Sequence, residues 1–343
     1  MQRTIVWFNR TFNHVRGALE LVHVGDTQSR FSTLCTHPNP HFTGFLAADQ
    51  TELEPTGLDS RAYVNYCLNL CSRRDVRIFY PGHYAGAITA RRAEFEDLGV
   101  RLISVAHHDI LSSLEDKSRF YKAHAKDAVP GPDAICVRTY EEFVAACSWL
   151  RERYSALSIK PSVGVFGIGF RIIDDKRRAL DHILKGIEHH VAAADLDREL
   201  KVAGTFPPLL VMEYLSGHEY SVDCLAVNGE LKVAVARRKE KGIGAGQLIV
   251  DMPEIQNTCR RLTEQYGLNA IFNVQFKEDS EGRMHLLEVN ARMSGGIAMA
   301  CLAGPNLPYL AITEALGELD AEEISAISYG LRVGDHHHAA VLP

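Results

Sequence analysis

Short apolar runs alternate with helical patterns through roughly the first 110 residues, and no other feature constrains the fold as tightly. The runs are Thr4 to Phe8, Arg30 to Thr36, Arg77 to Tyr80 and Val100 to Val105, with helical patterns over 13–22, 59–72 and 85–97 between them. Strand, helix and strand in succession close as parallel βαβ units, so a doubly wound sheet resembling half a Rossmann domain is expected. Ligands bind at the carboxyl ends of such strands, where Asn9-Arg10-Thr11 and Pro81-Gly82-His83-Tyr84 fall. No GxGxxG follows the first strand, which argues against a dinucleotide there. Substrate binding and plain loop chemistry both stay open.

From Ser113 the texture changes. A helix over 116–126, the turn Val129-Pro130-Gly131-Pro132, a strand near Ala134 to Val137 and a helix over 139–154 follow in order. Thr139 with Glu142 has the spacing of a capping box. The strand Leu157 to Pro161 enters a loop bearing Gly164, Gly167 and Gly169, and Phe170 to Ile173 reads as the next strand. A helix is expected over 176–194. The runs Leu209 to Leu215, Glu219 to Val227, Leu231 to Ala236, Ile271 to Lys277 and Met284 to Val289 then suggest a largely antiparallel sheet, with a helix over 253–266. Asn228-Gly229 is a two-residue hairpin turn.

The chain has 343 residues and a net charge of −6, so no general electrostatic case for nucleic-acid binding exists. No run approaches the roughly 20 apolar residues of a membrane span, and a cytoplasmic location is expected. The eight cysteines include no CxxC pair; Cys67 and Cys71, on one helix face, are expected in the core. His336-His337-His338 reads as a solvated tail, HExxH being absent.

Chemistry concentrates in the last hairpin. Side chains alternate along a strand, so Phe272, Val274 and Phe276, and Leu287 and Val289, are expected to be buried on one side. The other faces carry Asn273, Gln275, Glu288 and Asn290, oxygen donors of the kind Mg²⁺ accepts. Arg292 can meet a phosphate with its planar fork, and Ser294-Gly295-Gly296 can offer backbone amides. Taken alone this is equally a polar strand face. Lys160, just before the glycine-bearing loop, adds a cation beside main chain that can approach a polyphosphate closely. That loop is not a P-loop, because GxxxxGK[ST] is absent. In Leu209 to Asp223 an apolar strand leads to a short connector whose main chain can pair with an adenine edge, while Glu219 can accept from ribose hydroxyls. Arg237-Arg238-Lys239, followed by Gly242 to Gly246, reads either as an anchor for a substrate carboxylate beside a mobile loop or as an exposed basic turn.

In this order the segments resemble the ATP-grasp superfamily over roughly residues 110–320. Asp116-Lys117 with Phe120 looks like the family's early Asp-Lys element, and Lys160 like the lysine before its glycine loop. Glu213-Tyr214-Leu215 resembles the adenine hinge and Glu219 the ribose-binding acid. Gln275, Glu288 and Asn290 resemble the metal ligands, in a form similar to carbamoyl phosphate synthetase large-subunit modules. Arg292 matches the arginine of Glu-x-Asn-x-Arg. Ala291 replaces that signature's frequent proline, and Gln275 stands where many relatives have a carboxylate.

The resemblance implies an α/β (α+β) fold: an N-terminal Rossmann-like domain over 1–112, an ATP-grasp small subdomain with the glycine loop over 113–205, and a C-terminal subdomain with the metal site over 206–343. It implies a carboxylate-amine ligase using ATP and Mg²⁺ or Mn²⁺, acting through an acyl phosphate on small acids and amines, without nucleic-acid or membrane partners, as a homodimer. Lys117, Lys160, Gly164, Gly167, Gly169, Glu213, Tyr214, Leu215 and Glu219 would hold the nucleotide; Gln275, Glu288 and Asn290 the metal; Arg292, Lys160, Arg237 and Arg238 would act on the reacting groups. The alternatives are an ATP-binding protein without turnover and a kinase-like phosphoryl transferase.

Overall fold

The computed structural model describes residues 3–11, 15–164, 167–178, 180–184, 189–242, 244–336 and 339–342. Two compact units divide the chain: one comprises Met1–Ser112, Tyr220–Gln275 and Val289–Pro343, the other Ser113–Glu219 and Phe276–Glu288.

The first unit opens with a five-stranded parallel sheet. Its order is Gln50–Leu53, Phe31–His37, Thr4–Phe8, Val76–Tyr80, Arg101–Leu102. The central strand alternates its contacts: Val6 and Phe8 enter a core with Val15, Leu19 and Ile78, while Trp7 enters another with Tyr63, Cys67 and Phe95. Covering both faces is what a parallel sheet requires, and Trp7 stacks on Phe79 at 4.0 Å between ring centroids. Gln50–Leu53 escapes the sequence reading because it is an edge strand without an apolar run, its Leu53 mostly exposed. The expected helix over 85–97 is two, Ala85–Ala90 and Arg92–Asp97, meeting at Arg91. Cys67 and Cys71 are buried, and burial pushes the Cys71 thiol up to about 12.

A six-stranded sheet follows the order Met284–Asn290, Ala270–Glu278, Glu219–Val227, Glu230–Lys239, Gln247–Val250, Arg332–Val333. Asn228 and Gly229, at φ 51° and 78°, both occupy the left-handed region that the tightest hairpin turns demand. Within the first unit, Leu225, Val235, Ile249 and Ile271 share a core with Val15, Leu19 and Val22 of the helix Val15–Gly25.

The second unit is built on the order Ala134–Thr139, Thr205–Glu213, Leu157–Pro161, Arg171–Asp174, His190–Ala192. Thr205–Glu213 pairs antiparallel with both neighbours, so the run Leu209 to Leu215 belongs to this sheet and not to the later hairpins. Helix Tyr140–Arg151 covers one face through Phe143, Ala146 and Leu150. Its capping box forms as expected, with Thr139 Oγ1 accepting from the Glu142 amide at 3.2 Å, a cap worth about 0.5–2 kcal/mol. Among the described residues of 176–194, Asp181–Leu184 is a single turn and His190–Ala192 is a strand parallel to Arg171–Asp174, in place of the expected helix. Val191 is β-branched and half-buried in that pairing, which outweighs the weak helical periodicity. The helix Ala193–Ala203 begins only after it.

Candidate functional site

Asp116 organises one end of the site in the second unit. Its side chain caps the helix Lys117–Ala123 by accepting from the Ser118 amide at 3.0 Å and also accepts from Ser162 Oγ at 2.9 Å. The Lys117 amide donates to the Ser162 carbonyl at 3.1 Å. The helix start is thereby stitched to the beginning of the glycine loop. Lys117 Nζ then reaches the Gly164 carbonyl at 2.8 Å and the Glu288 carboxylate at 3.2 Å.

Lys160 stands in the strand Leu157–Pro161, opposite Leu210. It donates from Nζ to Tyr121 Oη at 2.8 Å and lies 5.2 Å from the centroid of that ring. Burial lowers its pKa to about 8, against the pull of Glu288 and Glu219 toward the charged form. Tyr121 is a partner of Lys160 that sequence reasoning missed. The available signal was its i, i+4 spacing from Lys117, which places both on one helix face. Burial also pushes the Tyr121 phenol far above its ordinary value, so it stays a neutral acceptor for the lysine.

The glycines of the loop differ in their reasons. Gly169 has φ 83°, and a Cβ there would come within 2.8 Å of Pro161 Cδ, so both backbone and space demand glycine. Gly167 has φ 64°, and its carbonyl accepts from the Phe170 amide at 3.0 Å. Gly164 contributes its carbonyl to Lys117. Val165 and Phe166 lie outside the described residues, as do Ile243 of the second glycine-rich loop and His337 and His338 of the histidine run.

At the proposed hinge, the Glu213 carboxylate faces the protein body. It accepts from the Asp133 amide at 2.9 Å, and burial raises its pKa. The Glu213 and Tyr214 amides donate to the carbonyls of Asp133 and Ala156. These two amides therefore hold the hinge and are not donors for a base edge. Leu215 is buried beside them. The connector closes tightly on the last hairpin: a Cβ on Gly217 would lie 2.4 Å from Glu278 Cβ, and the Gly217 amide donates to the Glu278 carbonyl at 2.9 Å. Glu219 is half-buried, its Oε2 4.0 Å from Lys277 Nζ. Lys277, another missed residue, neighbours the acid expected at a ribose.

The hairpin departs from the expected one-sided pattern. Asn273 is 1% exposed and donates from Nδ2 to Ser221 Oγ, the Val222 carbonyl and Asp223 Oδ1 at 3.0–3.2 Å. It is committed to the sheet, because both faces of Ala270–Glu278 are covered along most of its length. On Met284–Asn290 the buried apolar residues are Met284, Leu286 and Val289, with Leu287 half-buried. Gln275, Glu288 and Asn290 are each half-buried. Glu288 and Asn290 share a face of their strand by alternation. Arg292 is half-buried, donating to the Met293 carbonyl at 3.2 Å and to Asn290 Oδ1 at 3.4 Å.

Arg237 overturns the reading as an exposed basic turn. It lies inside the strand Glu230–Lys239 and is 1% exposed. Its guanidinium meets Asp223 Oδ2 from Nε at 3.1 Å and from one amine at 2.6 Å, and reaches Gln247 Oε1, Ser221 Oγ and Ser294 Oγ as well. A Cβ on Gly296 would sit 2.4 Å from this guanidinium, and the Gly296 amide donates to Ser294 Oγ at 3.1 Å. The glycine allows the loop to lie on Arg237, and its amide is spent locally. Arg238 instead pairs with Glu240 at 2.9 Å.

Residues 205–339 match the family model described as "ATP-grasp in the biosynthetic pathway with Ter operon". The arginine-specific large chain of carbamoyl phosphate synthase from Geobacillus stearothermophilus is 24% identical over 318 residues, covering 88% of this chain and 28% of that protein. The chain therefore spans little more than a quarter of that relative's length. Among solved structures, the biotin carboxylase domain dimer of Hydrogenobacter thermophilus 2-oxoglutarate carboxylase, in complex with MgADP, ADP and bicarbonate, shares the fold with a TM-score of 0.64 at 16% identity, covering 94% of this chain and 73% of that one. An L-amino acid ligase from Bacillus licheniformis shares it with a TM-score of 0.62 at 13% identity, over 94% of this chain and 77% of that one. Residues 205–339 thus match an ATP-grasp family model, and the chain shares the mixed α/β fold of these solved structures. No described helix is long and apolar enough to cross a membrane.

Proposed function

We propose that the chain is an ATP-dependent carboxylate-amine ligase that forms its carbon-nitrogen bond through an acyl phosphate. The observation that carries this reading is the gathering of Lys117 and Lys160 beside Glu288, at the base of a glycine loop: Lys117 within 3.2 Å of that carboxylate, Lys160 electrostatically coupled to it. Two cations and one metal-type ligand suit a polyphosphate with its counter-ion. The names of the similar proteins support it, since they include a ligase and a carboxylase domain bound to MgADP.

In this reading a substrate carboxylate oxygen attacks the γ-phosphorus, the bond from that phosphorus to the β-γ bridging oxygen breaks, and ADP leaves. The amine lone pair then adds to the acyl carbon, the tetrahedral centre collapses with loss of inorganic phosphate, and the nitrogen gives up a proton. Lys117 and Lys160 hold the phosphates, and Gly164, Gly167 and Gly169 let the loop approach them and exclude water from the acyl phosphate. Main chain at Leu215 faces the base and Glu219 the ribose hydroxyls. Arg292 supports the charge developing on the transferred group and on the tetrahedral oxygen. Arg237 positions Ser294 and the Gly296 main chain and does not touch substrate.

Gln275, Glu288 and Asn290 are an all-oxygen donor set with a single formal charge, which fits Mg²⁺ or Mn²⁺ completed by water and phosphate oxygens. Such an ion, when bound, would neutralise phosphate charge and fix its geometry. The eight cysteines are free thiols, in keeping with a cytoplasmic enzyme, and a homodimer is part of the same reading.

The test is hydroxylamine capture. With a suitable acid, ATP and magnesium but no amine, the protein should yield a hydroxamate together with ADP. Release of AMP and pyrophosphate would refute the acyl phosphate, and a stable phosphorylated product would replace the ligase by a kinase-like transferase.

A further inference from the structure

The order of the N-terminal sheet puts its topological switch between Thr4–Phe8 and Val76–Tyr80: from the first strand the chain moves outward to one side through Phe31–His37 and Gln50–Leu53, then returns to the other. Open parallel sheets take ligands in the crevice outside the carboxyl ends of the two strands at such a switch. Those ends carry Asn9-Arg10 and Gly82-His83. Their loops touch, since a Cβ on Gly82 would lie 2.7 Å from the Arg10 carbonyl.

Behind this edge stands a fully buried carboxylate. Glu54 Oε1 accepts from the Arg10 amide at 2.7 Å and Thr36 Oγ1 at 2.6 Å; Oε2 accepts from Arg10 Nε at 3.1 Å and Tyr63 Oη at 2.9 Å. Tyr63 Oη in turn accepts from Asn9 Nδ2 at 3.1 Å, and Asn9 also donates to the His83 carbonyl and accepts from the Gly82 amide. A buried ion pair of this kind is a weak source of stability, so its elaboration at the switch asks for another reason. The interior side of the network is satisfied. On the outer side Arg10, 27% exposed, gives one amine to the Pro55 carbonyl at 3.2 Å, while its other amine has no partner among the described residues.

The Arg10 guanidinium carbon stands 5.5 Å from the Tyr63 ring centroid, and two half-buried imidazoles, His37 and His83, lie within the electrostatic reach of Arg10 and Glu54. The Asn39 amide donates to His37 Nδ1 at 3.0 Å, so the neutral ring carries its proton on Nε2 and is a donor. The His83 ring meets the Tyr63 ring edge to face at 4.9 Å. Burial first, and Arg10 second or later, lowers both histidine pKa values. Tyr84, next in the loop, has φ 53°, an unusual backbone state for a bulky side chain and one that concentrates at binding sites.

We propose that this edge is a binding site for a small monocarboxylate, held by the outward amine of Arg10 and bounded by His37, His83 and the Tyr63 ring. A phosphate dianion fits less well: Glu54 already balances the Arg10 charge, so little positive charge is left for two negative ones, and no glycine-rich turn follows the first strand to supply amides. The site does not depend on nucleotide chemistry.

The experiment follows the ring resonances of His37 and His83 by NMR in the full chain, with ATP and magnesium absent. N-acetylglycine is the probe, inorganic phosphate the competing class and chloride the ionic-strength control; His37→Gln and His83→Gln assign the signals. Both rings should shift saturably with N-acetylglycine. Arg10→Lys, which keeps a cation for Glu54 but loses the fork, should weaken binding about tenfold, and Arg10→Gln should abolish it. Should Arg10→Gln fail to fold, Arg10→Lys carries the test. Absent saturation, unchanged affinity in Arg10→Lys, or tighter saturation by phosphate would overturn the assignment. Failure here leaves hydroxylamine capture unaffected, and the reverse holds equally.

Discussion

Arg237 and Lys160 are both cations carried on strands, Glu230–Lys239 and Leu157–Pro161, yet they end in opposite situations. Arg237 is 1% exposed and spends its guanidinium on Asp223, Gln247, Ser221 and Ser294. Lys160 is half-buried, donates to one neutral phenol, and has its pKa lowered to about 8 by burial. A cation that is buried and satisfied organises its own surroundings. One that is partly desolvated and under-compensated has binding energy left for an anion. On the proposed reading, one physical criterion separates a scaffold role for Arg237 from a ligand role for Lys160.

The strongest way to break this contrast is to remove Arg237. Arg237→Met leaves Asp223 buried without its cation and should destabilise the protein by about 3–5 kcal/mol, read from denaturant unfolding. The double variant with Asp223→Asn should recover much of that loss, because no isolated charge remains. A nearly unchanged midpoint for the single variant would return Arg237 to the list of groups that meet substrate. For Arg292, which is half-buried and donates to the Met293 carbonyl at 3.2 Å and to Asn290 Oδ1 at 3.4 Å, the expectation is the reverse. Arg292→Lys should keep stability and nucleotide affinity while lowering kcat on the order of a hundredfold, since the charge stays but the bidentate fork goes. Equal loss of kcat and of nucleotide affinity would place Arg292 in ground-state binding.

Why the sequence displays one of these roles better than the other follows from what each depends on. Short-range patterns survive in the text: the capping box at Thr139, the helix Pro253–Tyr266 and the turn at Asn228-Gly229 all depend on neighbours a few residues away. The cluster of Lys117 with Gly164 was anticipated as two separate elements, and its joining by Asp116 and Ser162 depends on a contact 46 residues apart. Arg237 was ambiguous because nothing in Ala-Arg-Arg-Lys tells a strand interior from its exposed end; only Asp223, Gln247 and Ser294 decide it. Likewise Asn273 looked like a metal donor by alternation, and became a sheet tie because both strand faces are covered. The helix expected over 176–194 failed for the related reason that a three-residue strand draws its stability from pairing with Arg171–Asp174, which local periodicity does not record.

Lys160→Met should weaken nucleotide binding about tenfold, the loss of one phosphate-facing cation in a partly desolvated setting. Isothermal titration with an unhydrolysable ATP analogue reads this directly, and Tyr121→Phe separates the cation from its support. Tyr121→Phe removes the acceptor 2.8 Å from Nζ but keeps the ring, so its effect should be the smaller of the two. Identical affinities for wild type and Lys160→Met would move the phosphate site elsewhere.

The smallest effect, and the most specific to Lys160, is its pH dependence. The pKa in the folded protein is about 8 against an ordinary 10.5. Below about 8 the lysine is protonated in folded and unfolded chains alike, and the cost of burying its charge is fully present. As pH rises from 8 toward 10.5 the folded form sheds the proton that the unfolded form retains, so this group's contribution to stability improves. Nucleotide binding runs the other way, because phosphates favour the charged lysine. Affinity for the ATP analogue should therefore fall several-fold as pH passes through about 8, and at that pH binding should take up protons, seen as a dependence of the measured heat on buffer ionisation enthalpy. Lys160→Arg keeps its charge throughout this range, so both the pH limb and the proton uptake should vanish while the affinity below pH 8 is largely kept. A limb that persists unchanged in Lys160→Arg would assign the titration to another group and erase the distinction drawn between Lys160 and Arg237.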